Sequence, residues 1–241
     1  MYDYKSVNEV WALIPARSGS KRLKNKNLKK IKNLSLVARA IINCKKSIKI
    51  NRIFLSTNSK KIKIEGLKYG AEVPFLRSTK NSQDKSNDFD VIKEFLYKIS
   101  KIEKKIPHYI IFIRPTTPIR DSILIDKAIK KFQGLKNYDS LVSVHEMNEP
   151  VHKKFYIENN KLKPAIEKLT LDQANNPSRN FKKSYTANGY LDLIKTKNVI
   201  LKKNYLGKNC YPFITKSAID IDDQKDFELA KFFITSKYLN V

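Results

Sequence analysis

A chain of 241 residues can form one α/β domain with a sizeable core, and its formal net charge of +26 is strongly positive. No apolar run approaches the ~18 residues of a transmembrane helix, and Met1–Lys5 lacks signal-peptide features, so we expect a soluble cytoplasmic protein with no membrane partner. Cys44 and Cys210 lie far apart in apolar contexts, which favours two reduced core residues over a disulfide.

The chain opens with a buried strand followed by a basic loop. Val10–Ile14 predicts the strand, and Pro15 ends its hydrogen-bond ladder because proline has no N–H. No acidic residue lies between Glu9 and Glu65. The cations of the loop are Arg17, Lys21, Arg22, Lys24 and Lys26. A small-residue loop that leaves a strand among cations suits a polyphosphate, although a lysine-rich surface loop has the same composition.

Alternating strands and helices follow. The hydrophobic pattern predicts helices at 34–48, 59–69, from about 87, 122–132 and 223–238, and strands at 52–57, 109–114 and 139–144. Strand–helix–strand order implies parallel strands with right-handed crossovers. We therefore predict the α/β class, a doubly wound and mainly parallel sheet in one domain, 1–241. Its site should lie at the carboxyl ends of strands 10–14, 52–57 and 109–114.

Residues 145–187 interrupt this pattern. They lose periodicity and contain Pro150, Pro164 and Pro177, and the stretch is too long for an ordinary connection. His145 and His152 lack neighbours that would complete a metal site. We expect a small arm here rather than a loop.

Two later motifs place polar groups near strand ends. Pro115–Pro118 is a rigid turn that holds the hydroxyls of Thr116 and Thr117 at the end of a strand. Asp220 and Asp222 are two residues apart, so in an extended segment both carboxylates project to one face and suit Mg²⁺. Asp223 is better explained as the cap of the last helix.

Four segments together resemble the acylneuraminate cytidylyltransferases (CMP–sialic acid synthetases), including enzymes for legionaminic and pseudaminic acid. They are Tyr109–Arg120, Asn188–Ile194, Ser217–Ala230 and Ala71–Arg77 with Asp84, and they follow a fifth, the signature loop Ile14–Lys21 with Lys26–Asn27. The resemblance implies a nucleotide-diphospho-sugar transferase-like fold with a β-rich dimerisation arm at about 145–187. It also implies an enzyme that joins CTP to a nine-carbon 2-keto-3-deoxy sugar acid, with Mg²⁺ as cofactor and a homodimer as the assembly.

The same resemblance implies residue roles. Arg17, Lys21 and Asp222 would be catalytic, and Asp220 and Asp222 would hold the metal. The nucleotide would be bound by Arg17, Ser18, Gly19, Ser20, Lys21, Lys26, Asn27 and Arg77, and Asp84 would follow in the loop that frames the base. The sugar acid would be bound by Arg114, Thr116, Thr117, Lys153, Arg179 and Asn188, with Lys153 donated by the partner subunit. Arg114 stands where the family commonly has glutamine, and Arg77–Ser78 where it has Arg-Pro.

Two other functions fit these residues. A nucleotidyltransferase could use another acceptor, such as 3-deoxy-octulosonate or a phosphonate. A protein without enzymatic activity could bind RNA or another polyanion through the same basic face, but the RNP-type aromatic motif and Cys/His finger spacing are absent, so we expect no nucleic-acid partner.

Overall fold

The computed structural model describes residues 4–202 and 204–236, and a six-stranded sheet forms its centre. The strands are β1 (Lys5–Pro15), β2 (Lys30–Ile31), β3 (Leu34–Ser35), β4 (Arg52–Ser56), β5 (Lys105–Phe112), β6 (Ser140–Glu146), β7 (Phe155–Glu158), β8 (Lys161–Pro164), β9 (Tyr185–Lys195) and β10 (Cys210–Ile214). The central order is β10-β6-β9-β5-β1-β4. Only β9 among these six runs antiparallel to its neighbours, so the predicted mainly parallel α/β sheet is confirmed.

The α-helices begin at side-chain caps. They are α1 (Leu36–Lys45), α2 (Lys60–Lys68), α3 (Asp88–Glu103), α4 (Ser122–Gln133), α5 (Leu171–Ala174) and α6 (Gln224–Thr235). Ser59 accepts the N–H of Ile62, and Asn87 accepts the N–H of Asp90, so two predicted helices start where a local cap satisfies an orphan donor. The predicted helix 34–48 begins later, because Leu34–Ser35 pairs with β2 before Ser35 caps α1.

Alternation along β1 builds a core on both faces of the sheet, since successive side chains of a strand point to opposite faces. Val10, Ala12 and Ile14 pack in one cluster with residues of α1, α2 and α4. Trp11 and Leu13 pack in the other, with Phe54 and the inner face of α3. The continuous apolar run at the start of the chain is therefore the two-faced strand of a doubly wound sheet.

One of the two cysteines differs from the prediction. Cys44 is buried on α1 as expected, but Cys210 is exposed, because it begins the edge strand β10 and points away from the core. Both thiols are free. The last helix is described as far as Thr235, and the predicted end at Tyr238 lies outside the described residues. Within 4–202 and 204–236, no helix combines the length and apolarity needed to cross a bilayer.

The stretch predicted as an arm leaves the sheet along β6 and returns along β9, which remain paired as far as Glu146 and Tyr185. Between them, β7 and β8 form a separate two-stranded hairpin. Asn159 and Asn160 both have positive φ, 50° and 60°, which a two-residue hairpin turn requires. Apolar side chains of this arm face solvent, namely Tyr156, Ile157, Leu162 and Leu171.

Candidate active site

Two adjoining pockets lie at the carboxyl ends of β1 and β5, beside the loop that follows β1, whereas no residue of β4 lines either of them. They share Arg17, Ser20 and Lys26. The first, here called the Arg77 pocket, is also lined by Pro15, Asn27, Arg77, Asn81, Gln83, Ser86, Asp88, Val91, Arg114, Pro115 and Thr116. The second, here called the Lys21 pocket, is also lined by Lys21, Arg22, Leu23, Asp84 and Asp222.

Amide side chains fix the loop after β1. The Oδ1 atom of Asn58 accepts the backbone N–H of Ser18 at 2.9 Å and its hydroxyl at 3.2 Å. The Nδ2 atom of Asn27 donates to the carbonyl of Arg17 at 2.9 Å. Gly19 adopts a φ of 83°, a conformation that favours glycine. Asn27 was predicted to bind nucleotide, and its amide group also has this structural contact.

Asp84 joins two cations of the loop. Its Oδ1 atom lies 2.8 Å from Nη2 of Arg17, and its Oδ2 atom lies 2.7 Å from Nζ of Lys21. These contacts, with Lys21 the first of them, lower the pKa of the Asp84 carboxyl below its ordinary value. The two cations predicted to bind the triphosphate therefore share one carboxylate from a distant loop.

Asp222 forms ion pairs with two further cations of the loop, Arg22 and Lys26. Its carboxylate lies 2.9 Å from Nη2 of Arg22 and 3.5 Å from Nζ of Lys26. Lys26 also donates to the carbonyl of Ile221 at 2.8 Å, which ties the loop to the segment before α6. The fold thus brings Asp222 to the basic loop after β1. Strand β10 ends at Ile214, so Asp220 and Asp222 lie beyond the strand.

Arg77 is the buried cation of the first pocket. Its side chain borders the cleft although the residue is only 7% exposed, and neither Nε nor Nη2 has a hydrogen-bond partner. Burial lowers the pKa of Arg77 to about 10, so the guanidinium remains charged at neutral pH. The carboxylates of Glu94 and Asp88 act on its charge, but two buried N–H groups without acceptors are costly for the fold, and an anionic ligand would provide the missing acceptor.

Arg114 has partners that the sequence did not predict. Nη2 lies 2.5 Å from Asp88, and Nη1 lies 2.8 Å from Asp192, which also accepts a hydrogen bond from the Tyr205 hydroxyl. Burial alone would lower the pKa of Arg114, but Asp192, Tyr205 and Asp88 raise it above its ordinary value. Arg114 borders the cleft as predicted, yet two carboxylates of this chain already balance its charge.

The other residues outside the arm that were predicted to bind the sugar acid, Thr116, Thr117 and Asn188, have mainly structural contacts. The Thr117 hydroxyl is buried and donates to the carbonyl of Gly189 at 3.2 Å. The buried Asn188 amide donates to the Thr215 hydroxyl at 2.7 Å. Thr116 does border the cleft, and its carbonyl accepts the N–H of Ile221 at 2.8 Å.

Arg120, the last residue of the Tyr109–Arg120 motif, connects these segments, although it is not among the predicted site residues. Its guanidinium donates to the carbonyls of Arg114 at 2.6 Å, Tyr190 at 2.6 Å and Gly189 at 3.0 Å, and to that of Thr117. Burial lowers the pKa of Arg120 to about 10. One charged side chain therefore locks the turn after β5 against β9, which fixes one wall of the cleft.

Lys153 and Arg179 lie on the arm. Nζ of Lys153 donates to the carbonyls of Asn175 at 3.4 Å and Asn176 at 2.9 Å, and Arg179 is exposed. Neither lines the Arg77 or the Lys21 pocket. Their predicted roles toward the sugar acid stay predictions that depend on a second subunit.

Asp220 and Asp222 are the predicted ligands of a magnesium ion, but Asp220 lines neither pocket and the carboxylate of Asp222 is paired with Arg22 and Lys26. Asp220 and Asp222 flank the fully buried Ile221, and Asp222 lines the Lys21 pocket. Among the described residues, no group of three or more His, Cys, Asp or Glu side chains converges as a metal cage. Mg²⁺ does not require such a cage, because it commonly uses one or two carboxylates together with phosphate oxygens and water.

The pocket residues that the sequence did not assign come from the 77–88 loop and its neighbours. Asp88 lies in the first turn of α3, a common position for an acidic residue, and Arg22 belongs to the basic loop but has no predicted role of its own. Asn58 follows a buried strand at the position where ligands of α/β sheets bind, but it lines neither pocket and instead holds Ser18.

Two solved structures share this fold. A CMP-2-keto-3-deoxy-manno-octonic acid synthetase solved with CTP superposes with a TM-score of 0.71 at 11% identity, covering 94% of this chain and 98% of that one. A 4-diphosphocytidyl-2C-methyl-D-erythritol synthase from Anaerococcus prevotii superposes with a TM-score of 0.61 at 12% identity, covering 95% and 96%. At these identities the likeness shows the fold alone.

Sequence relationships then give the family. Residues 11–234 match the family model described as cytidylyltransferase, and the chain belongs to this family. It is 30% identical to a CMP-N,N'-diacetyllegionaminic acid synthase of Campylobacter jejuni, over 96% of this chain and 97% of that one. It is 29% identical to post-translational flagellin modification protein B of Campylobacter coli, over 97% and 98%. An N-acylneuraminate cytidylyltransferase of Escherichia coli is 30% identical over 92% of this chain, which spans about half (51%) of that enzyme.

We predict that Arg77→Met weakens CTP binding by about 1.5–3 kcal/mol, because a charge-assisted contact to the nucleotide is lost. The melting temperature should stay the same or rise, since the variant also removes two buried N–H groups without acceptors. Titration calorimetry and thermal unfolding measure the two effects. Arg39→Met is the matched control, because Arg39 also has a buried unpaired Nε but lies outside both pockets. Unchanged CTP affinity in Arg77→Met would remove Arg77 from the nucleotide site.

Proposed function

We propose that the protein transfers the cytidylyl group of CTP to a nine-carbon 2-keto-3-deoxy (nonulosonic) sugar acid and releases pyrophosphate. Membership of the cytidylyltransferase family supports the donor, and the relatives named for legionaminic and acylneuraminic acid support the acceptor. The observation that carries the site is the loop after β1, where Arg17, Lys21 and Lys26 converge beside the partly unpaired Arg77.

The chemistry is an in-line attack of the sugar's anomeric hydroxyl on the α-phosphorus of CTP. Both substrates are anions, so the cations of the two pockets must screen their repulsion, and Arg17 and Lys21 stabilise the charge that moves onto pyrophosphate. Asp220 and Asp222 would hold Mg²⁺, which when bound offsets phosphate charge and lowers the pKa of a coordinated hydroxyl. We place the reaction in the cytoplasm, where CTP is made.

The acceptor is tested by incubating the protein with CTP, Mg²⁺ and a panel of sialic, legionaminic, pseudaminic and 3-deoxy-octulosonic acids. We expect pyrophosphate and a CMP-sugar to form in equal amounts with at least one nine-carbon acid, and only weakly with the octulosonic acid. Anion-exchange chromatography separates the products. Turnover with the octulosonic acid alone would show that the acceptor is 3-deoxy-octulosonate rather than a nine-carbon sugar acid.

Absence of turnover with every acid, together with salt-sensitive RNA binding, would instead support the polyanion-binding function. Heat-treated protein and UTP in place of CTP are the controls in both experiments.

For the metal site, we predict that Asp222→Asn lowers turnover about a hundredfold or more and raises the Mg²⁺ concentration needed for half-maximal rate. The melting temperature should change little, because Asp222 is half exposed and its ion pairs are weak contributors to stability. Rates measured across a Mg²⁺ series give both quantities.

Asp223→Asn is the matched control. Asp223 caps α6 by accepting the N–H groups of Lys225 and Asp226, and asparagine is an equally good cap. It should therefore leave turnover nearly unchanged. Wild-type Mg²⁺ dependence in both Asp220→Asn and Asp222→Asn would place the metal elsewhere.

We also propose that the protein is a homodimer joined through its arm. The hairpin of β7 and β8 lies outside the main sheet, and its exposed apolar residues form a surface that a second copy could cover. A partner arm would also bring Lys153 to a site that it does not line within its own chain.

The dimer prediction is tested by sedimentation at micromolar concentration, where the wild type should be a dimer. Ile157→Glu places a charge at a 77% exposed apolar position of the arm and should yield monomers with reduced activity. Ile48→Glu, at an 88% exposed position outside the arm, is the control and should remain dimeric. A fully active wild-type monomer would contradict the proposal.

A further inference from the structure

Asp84 lines the Lys21 pocket and contacts Arg17 and Lys21, the two side chains proposed to bind the triphosphate. One oxygen is 2.8 Å from Arg17 and the other is 2.7 Å from Lys21, so the carboxylate bridges the two cations. The carbonyl of Ser82, two residues earlier, accepts a second contact from Arg17 at 3.4 Å. The 82–84 stretch therefore presents oxygen atoms to the same donors that a phosphate group would use.

A phosphate group could replace the Asp84 carboxylate in these contacts. The side chain of Asp84 is 46% exposed and that of Lys21 is 82% exposed, so each ion pair is screened by solvent and stabilises the fold little. A phosphate group has more negative charge than a carboxylate and three oxygens, and it would form stronger bonds to both cations. The N–H groups of Arg17 and Lys21 that bind the Asp84 carboxylate cannot bind a phosphate group at the same time.

We propose that Asp84 is a built-in counter-ion of the phosphate site, which competes with the triphosphate and with product pyrophosphate for Arg17 and Lys21. This inference rests on the proposed function. Competition weakens nucleotide binding, and it also supplies a negative group that takes over the cations as pyrophosphate leaves. Asp84 is then a positioning residue that controls how tightly the product is held.

Competition and a purely structural role predict opposite effects of removing Asp84 on phosphate binding. Removing a structural ion pair would loosen Arg17 and weaken phosphate binding. Removing a competitor frees two cations and strengthens it. The effect should be largest for pyrophosphate and CTP and smaller for CMP, because CMP lacks the β- and γ-phosphates that would face Arg17 and Lys21.

The test is the binding of pyrophosphate, CTP and CMP to the wild type and to Asp84→Asn, measured by titration calorimetry with Mg²⁺ present. We expect the dissociation constants of pyrophosphate and CTP to fall roughly threefold to tenfold in the variant, as the loss of two exposed ion pairs allows. Pyrophosphate should also inhibit turnover at lower concentration. Asp84→Glu keeps the negative charge and should behave like the wild type.

Glu228→Gln is the matched control for charge, because it also removes one exposed carboxylate that pairs with a lysine, on α6. It should leave all three dissociation constants unchanged. Weaker or unchanged pyrophosphate binding in Asp84→Asn, or equal tightening for CMP, would overturn the inference. Failure of the wild type to bind CTP would overturn the proposed function instead, so the two failures are distinguishable.

Discussion

Mutual repulsion among the cations of the loop after β1 is the constraint on which the site depends. Arg17, Lys21, Arg22 and Lys26 converge within ten residues that contain no acid, and such a cluster needs negative charge from elsewhere. The fold provides it twice, as Asp84 on one side and Asp222 on the other. Both acids come from segments near the carboxyl edge of the sheet, so charge balance and sheet topology support each other.

The rigid parts of the cleft are held by groups whose polar atoms are mostly satisfied. The guanidinium of Arg120 locks the turn after β5 to β9 through main-chain carbonyls, and Asn58 and Asn27 fix the loop after β1. Against this background the unpaired Nε and Nη2 atoms of Arg77 stand out. A partly unsatisfied guanidinium beside a well-ordered wall provides a preorganised position for an anion.

Arg114 illustrates how a substitution in a motif acquires its meaning from tertiary partners. By its chemistry an arginine at the end of β5 seeks a carboxylate or a phosphate. In the fold it binds Asp88 and Asp192, with Tyr205 as a further neighbour. Its charge therefore orders the wall of the Arg77 pocket, and Asp88 becomes an acidic group in a pocket that is otherwise rich in cations.

The sequence by itself determined the apolar strand β1, the cap that begins α6, and the basic loop that follows the first strand. Such features depend on local spacing, which periodicity and cap chemistry record directly. Tertiary structure alone decided which acids neutralise the loop, because Arg17 and Asp84 are 67 residues apart and Lys26 and Asp222 are 196 apart. It also decided that Cys210 is exposed, since edge position and register settle which face of a strand is covered. Contacts of this range arise only when strand ends meet, and no local pattern encodes them.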